Sequence, residues 1–369
     1  MNDYNIFSCH TIELRQKLSP SEWQTAFKAN LTKEHIPESY KSKGYEYFYW
    51  NFLREKGVRI YFYRPIKEKK FYEMGIKLVI NPRILLGDKE YIGIFEPTES
   101  NIEKLFEELV KIPYELKLNK IFNYEWFNNV GNIFNFRIQQ IDFCINHKFE
   151  SSDIANTYIK LLKRGNKTKN MEEYTYFDNN CNKFKKYKNT VGFKGKSFEI
   201  VAYNKQEQLL EHKKYFTEEC IDEADGIVRF EIKVKREKIR RMLKLSDDIY
   251  LSELEKMFNN IGYTSQREFS RYIKILFGNG DYYTMEKAVE IIRKNVKEKY
   301  HKDMIDFLNL VSERRSLWKA KAEFTDTNNL DKILRRFSNI KLNPITIPIR
   351  WVNYDRNIIF KNVFDILEL

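Results

Sequence analysis

Residues 197–205 read Ser-Phe-Glu-Ile-Val-Ala-Tyr-Asn-Lys, a run with the two-residue period of a β-strand that sets Glu199, Val201, Tyr203 and Lys205 on one face. A tyrosine in such a place, beside a cation, has the chemistry to attack a phosphodiester. The obstacle is the phenol: its pKa near 10 makes the phenolate cost roughly 4 kcal/mol at neutral pH. Lys205 or a metal ion lowers that cost by stabilising developing negative charge. The chain holds 24 tyrosines, so a tyrosine merely packed at a strand end is the alternative these residues leave open.

Two further segments carry an acid at a strand centre. In residues 137–146, the period of two places Gln140, Asp142, Cys144 and Asn146 opposite Ile141, Phe143 and Ile145. In residues 226–235, Arg229, Glu231 and Lys233 fall opposite Phe230, Ile232 and Val234. Asp142 and Glu231, on neighbouring strands with water and phosphate completing the shell, form an all-oxygen donor set that suits Mg2+ or Mn2+. The competing reading is a solvated sheet face on which both acids pair with nearby Lys or Arg.

The charge balance decides what such a site meets. Lys and Arg number 65 against 52 acids, a net charge of +13, so the chain attracts polyanions, nucleic acid first among them. Basic segments at 160–196 and 233–244 flank the candidate residues in sequence. Lys163, Arg164, Lys185, Lys186, Lys233 and Lys235 are the candidate DNA contacts, with Arg229 as a phosphate contact on the face of Glu231. Tyr174, Tyr176, Phe177 and Tyr187 lie among the lysines, where rings can stack on bases while cations track phosphates. A Lys- and Asn-rich loop without a ligand is the other reading of that stretch.

Other chemistries are not supported. Cys9, Cys144, Cys181 and Cys220 form no CxxC pair and the five histidines share no metal-ligand spacing, so no zinc site is expected. No window approaches the roughly 18 apolar residues of a membrane span, and no leader is read at the N-terminus. A cytoplasmic protein with free thiols is the expectation.

Positioning these residues requires a sheet. Short alternating runs at 58–63 and 72–80, with Pro65 and Pro82 as punctuation, predict strands, and 101–118 predicts a helix. The strand at 137–146 is followed by a helix from Ser151 or Ser152 to Arg164, a loop at 165–188, and strands near 174–177, 191–193 and 197–205. A helix at 206–215 then leads to the strand 227–235. From about residue 240, helical periodicity recurs at 252–260, 265–276, 284–299, 303–321 and 329–337. The pattern predicts an α+β protein: a domain over residues 1–240 with a mainly antiparallel sheet and helices, then a helical domain over 241–369 for DNA binding or an accessory role.

Three of these segments in order resemble the replication initiators of filamentous phages and related plasmids, the gene II/X family of rolling-circle nicking enzymes. They are Gln140-Ile-Asp142, Val201-Ala-Tyr203-Asn-Lys205 and Gly226-Ile-Val-Arg-Phe-Glu231. The match covers about 137–241, with weaker similarity at 71–87 and 314–348. The resemblance implies a fold related to the HUH endonucleases, Tyr203 as nucleophile, and Asp142 and Glu231 as metal-binding acids. It implies a site-specific nickase that forms a 5′-phosphotyrosine at a plasmid or phage origin, rejoins the strand, and works with a host helicase and polymerase. Gln140 stands where the family has Arg, and the upstream family acid falls on Ile76, leaving Glu73 as the nearby carboxylate. No His-hydrophobic-His pair is present, so the metal set implied is carboxylate-based. The alternatives are a non-catalytic origin-binding regulator and a relaxase of a mobile element.

Overall fold

The computed structural model describes residues 5–32, 36–67, 73–88, 92–118, 132–178, 183–244, 250–324, 327–353 and 355–369. Its strands are β1 (Ser8–Leu18), β2 (Glu38–Ser42), β3 (Tyr45–Trp50), β4 (Val58–Pro65), β5 (Met74–Ile80), β6 (Arg137–Lys148), β7 (Glu172–Glu173), β8 (Thr175–Asp178), β9 (Lys183–Lys186), β10 (Thr190–Lys194), β11 (Phe198–Asn204), β12 (Ile227–Lys235), β13 (Tyr282–Tyr283) and β14 (Ile359–Phe360). The chain divides into two compact units. The first comprises Ile6–Cys144 and Lys233–Ser265; the second comprises Asn5, Ile145–Ile232 and Gln266–Leu369. The division falls inside β6 and inside β12, so each of these strands serves both units.

In the first unit the strand order is β2-β3-β4-β5-β1-β6, with antiparallel pairing throughout. β1 is a central strand that the sequence reading left unassigned. The helix Pro20–Asn30 follows it directly, started by a capping box in which Ser19 accepts from the Glu22 backbone, Glu22 reaches back to Ser19, and Pro20 opens the first turn. Its Trp23 and Phe27 stack at 4.7 Å, and Phe27 meets Phe48 at 4.8 Å and Trp50 at 5.2 Å. One face of β3 and β4 is thereby buried under aromatic rings.

β6 does not alternate between wet and dry faces as the sequence pattern predicts. Its pairing with β1 slips between the Glu13–Gln140 and Leu14–Ile138 pairs, a β-bulge that rephases the strand. From Ile141 to Asn146 every residue is buried, because neighbours cover both faces of this central strand.

In the second unit the order is β6-β12-β11-β10-β7. The helix Ser152–Leu162 buries Tyr158, Leu161 and Leu162 as its periodicity predicts, while Ile154, expected in the same stripe, is half-buried and Ala155 and Ile159 are buried instead. Beyond residue 240 the chain is mainly helical, but 241–265 belongs to the first unit and 266–369 joins 145–232 in the second. The helix expected over 303–321 is two, His301–Arg314 and Leu317–Glu323. Arg315 adopts φ +51 between them, and the Leu317 amide donates to Arg164 O at 2.7 Å; a tertiary contact thus captures the turn.

Candidate active site around Tyr203

β11 carries Tyr203 as its penultimate residue, opposite Thr190 on β10. The strand stops at Asn204, whose side chain accepts from the Glu207 backbone and caps the helix Lys205–Glu211. Asn204 is 1 % exposed, and its amide donates to Asn156 Oδ1 at 3.1 Å and to Ser152 O at 3.4 Å. The end of the strand is therefore tied to the helix Ser152–Leu162. An Asn three residues before a Glu was the readable signal for this cap, and the sequence reading missed it.

Tyr203 is half-buried, and its hydroxyl donates to Glu231 Oε1 at 2.8 Å. Glu231 stands in β12, 8 % exposed, between the buried Phe230 and Ile232. Two residues separated by 28 positions, which the sequence reading assigned to separate tasks, thus share a proton. A carboxylate at this distance orients the phenol and can accept its proton.

The start of β12 is set by a second group of contacts. Gly226 has φ +72, and a Cβ there would lie 2.2 Å from Phe149 O, so only glycine fits. The Gly226 amide donates to Ser152 Oγ, the Ser152 amide donates to Asp225 Oδ1, and Ser152 Oγ donates to Gln206 Oε1. The hydrogen bonds from Ser152 hold the Asp225 carboxyl below its ordinary pKa. Ser152, Asp225 and Gln206 are positioning residues that the sequence reading did not single out.

Lys205 does not continue the strand face of Tyr203. It is the first residue of the helix, 6 % exposed, and its Nζ donates to Gln208 Oε1 at 2.8 Å. The Asn204 cap turns the chain before Lys205, which ends the alternation.

In the first unit, Asp142 is 7 % exposed and pairs across the strands with Thr11. Gln140 Nε2 donates to Asp142 Oδ1 at 2.8 Å, and Lys233 Nζ stands 3.8 Å from Asp142 Oδ2. Gln140, where the resembling family has Arg, thus serves the acid as a neutral donor, with the positive charge supplied by Lys233. Among the described residues no three His, Cys, Asp or Glu side chains gather into a group that could hold a metal ion. Glu73 pairs with Lys17.

The basic residues separate into two kinds. Arg229, expected to face phosphate, is 1 % exposed and donates through Nε to Asn146 Oδ1 at 2.8 Å; both faces of β12 are covered at that point, so it is a core residue. Arg164 is likewise 9 % exposed, with its guanidinium 4.5 Å from the Trp351 ring centre and donating to Thr346 O. Burial, with Arg315 and Arg350 nearby, pushes its pKa down to about 10. These two are corrections to the expected DNA contacts.

Lys163 donates to Tyr187 O and Lys188 O, each at 2.5 Å, and burial with the charges of Lys186 and Lys160 pushes its pKa down to about 8. Lys185 and Lys186 are exposed on β9, Lys186 paired with Glu173. The strand expected near 174–177 is β8, which pairs antiparallel with β9 within the Lys- and Asn-rich stretch. Cys181 lies outside the described residues. Lys233 and Lys235 are half-buried at the end of β12.

No family model matches the chain, and no curated protein matches it. Among solved structures the chain is similar to the rolling circle replication initiator protein from Geobacillus stearothermophilus, at 11 % identity and a TM-score of 0.30, over 70 % of this chain and 96 % of that one. Among the described residues no helix is long and apolar enough to cross a membrane.

Proposed function

We propose that this chain is a rolling-circle replication initiator with an HUH-related nuclease fold, a nickase that cuts one strand at a plasmid or phage origin and later rejoins it. The observation that carries the reading is the Tyr203–Glu231 hydrogen bond. It gives a strand-end tyrosine a fixed direction and a proton acceptor. The three ordered segments shared with the gene II/X family and the net charge of +13 agree with it.

In the proposed reaction Tyr203 Oη forms a bond to the scissile phosphorus and the P–O3′ bond breaks. The phenolic proton passes to Glu231, and the released 3′ oxygen takes a proton from water. The 5′ end is left as a phosphotyrosine, which keeps the energy needed for religation, and the 3′ hydroxyl primes synthesis by a host polymerase behind a host helicase. Lys205, held by Gln208 off the strand face of Tyr203, is proposed to stabilise developing negative charge through its field rather than by contact with the phenol.

Mg2+ or Mn2+ is proposed as the cofactor, with the carboxylates of Asp142 and of Glu231 as the candidate ligands; their oxygens are hard donors that match either ion. Such an ion neutralises charge on the phosphate. The exposed Lys185 and Lys186 and the half-buried Lys163, Lys233 and Lys235 are proposed to contact the DNA backbone.

The test is incubation of the purified protein with supercoiled plasmid bearing its replicon's origin, in Mg2+ or EDTA, for wild type and Tyr203→Phe. Metal-dependent conversion to open circle with protein on the 5′ end, both lost in the variant, is expected. Nicking that survives in Tyr203→Phe would move the nucleophile elsewhere. Origin binding without nicking under any condition would favour a binding-only regulator.

A further inference from the structure

The outer strands of the first unit present a second, separate surface. Phe48, Trp50 and Phe62 turn toward the helix Pro20–Asn30, so the alternate residues of β3 and β4 lie on the opposite face. They are Tyr45, Tyr47 and Tyr49 on β3 and Arg59, Tyr61, Tyr63 and Pro65 on β4. The register lines them up in two rows that cross the sheet, one running Tyr40, Tyr47, Tyr63 and Gly75, the other Tyr49, Tyr61, Lys77 and Arg15.

Within the rows the rings touch in sequence. Tyr40 stacks on Tyr47 with centroids 5.1 Å apart and planes 12° from parallel, and Tyr47 and Tyr63 are 6.1 Å apart. In the second row Tyr49 and Tyr61 are 5.1 Å apart. The cations are held against these rings: Lys77 Nζ lies 4.4 Å from the Tyr61 centroid, and the Arg15 guanidinium lies 5.4 Å from that of Tyr63. Tyr40 is exposed, while Tyr47 and Tyr61 are half-buried by their neighbours. Burial raises the pKa of Tyr40, Tyr47 and Tyr61, which keeps their hydroxyls as neutral donors. Arg59, on the same face, is exposed; Arg15 and Lys77 both pair with Glu13, and Glu38 stands opposite Tyr49 at the sheet edge.

We propose that this tyrosine face is a platform on which single-stranded DNA stacks its bases, with Arg15, Arg59 and Lys77 meeting its phosphates. The assignment rests on the reading of the chain as a nickase, which must handle an exposed strand. Side chains two apart on a strand are about 6.6 Å apart and neighbouring strands about 4.8 Å apart, so the rings stand side by side with faces turned partly to one another; Tyr63 is buried at 3 % exposure, and Tyr40, at the edge, and the half-buried Tyr47, Tyr49 and Tyr61 are the rings a base can reach. Base stacking on such rings is sequence-tolerant because every base has a π-face. A duplex hides those faces, which selects the single strand over double-stranded DNA.

The experiment measures fluorescence anisotropy of labelled (dT)20 with the full chain in EDTA, for wild type and the double variants Tyr47→Leu/Tyr61→Leu and Tyr47→Phe/Tyr61→Phe. The Leu pair is expected to bind about 10- to 100-fold more weakly, with the Phe pair within about threefold of wild type. Equal binding of (dT)20 by the folded Leu pair and wild type would overturn the platform. Crosslinking of wild type with 5-iododeoxyuridine oligonucleotides, with peptides mapped, decides independently of the variants' folding. Adducts at residues 40–63 support the platform, and adducts confined elsewhere overturn it. Because these readouts need no cleavage, a failure of nicking leaves them interpretable.

Discussion

The Tyr203 hydroxyl donates to Glu231 Oε1 at 2.8 Å, so the proposed nucleophile and the acid of the β12 motif are joined directly. Glu231→Gln keeps an oxygen that can accept this bond but cannot take the proton. Formation of the covalent protein–DNA adduct should fall roughly 10²- to 10⁴-fold, read as a labelled oligonucleotide migrating with the protein on a denaturing gel. Tyr203→Phe should give no adduct. A Glu231→Gln protein that forms adduct at the wild-type rate would leave the carboxylate without a role in proton transfer.

Asn204 ends the strand and starts the helix next to the nucleophile. Asn204→Ala removes the cap on the Glu207 amide and the bonds to Asn156 and Ser152. A loss of about 1–2 kcal/mol is expected from the cap alone, seen as a lower urea midpoint, with slower adduct formation because Tyr203 loses its fixed direction. Asn204→Asp retains the cap acceptor without the amide donor and should fall between the two. A wild-type midpoint for the Ala variant would mean that the cap bears no load.

Buried and exposed cations should behave differently on DNA. Arg229→Met leaves Asn146 Oδ1 without the donor it has at 2.8 Å and should cost roughly 1–3 kcal/mol of stability. The slope of log affinity against log salt for the folded protein should stay as in wild type. Lys185→Gln, at an exposed position, should leave stability near wild type and reduce that slope by about 0.9. An Arg229 variant with full stability and a reduced slope would reverse the correction made above.

Lys163 supplies a pH signature. Its pKa is pushed down to about 8 in the folded protein, below the roughly 10.4 of an unfolded lysine. Folding therefore carries the cost of its buried charge below pH 8, and that cost is relieved as pH rises from about 8 toward 10. Melting temperature measured across this window should gain in wild type relative to Lys163→Gln as pH rises. Parallel curves for the two proteins would refute the depressed pKa.

Which elements were legible depends on how local their causes are. The β12 segment, Ile227–Lys235, and the helix Ser152–Leu162 carry strong periodicity and were found at nearly their observed bounds. β1 was not found, although the Ser19-Pro-Ser-Glu22 capping box behind it is a local signal that marks where a strand must have ended. Arg164 and Arg229 were misread because a charge count cannot distinguish an arginine in water from one whose guanidinium rests on Trp351 or bonds Asn146. The even-odd division of β6 holds at Gln140 and Asp142, whose side chains meet on one face, but it does not separate a wet from a dry face because residues Ile141 to Asn146 are all buried.

The residue order alone determined the mixed α/β character, the helical run after residue 240, the basic charge, and the three segments that hold Tyr203, Asp142 and Glu231, because period, capping and charge are properties of neighbours in the chain. Only the tertiary structure decided that the Tyr203 hydroxyl donates to Glu231, that Lys205 leaves the strand, and that Tyr40, Tyr47, Tyr49 and Tyr61 line up across separate strands. Strand order and register set those relationships. They arise from hydrogen bonds and burial between segments far apart in sequence, which no local pattern encodes.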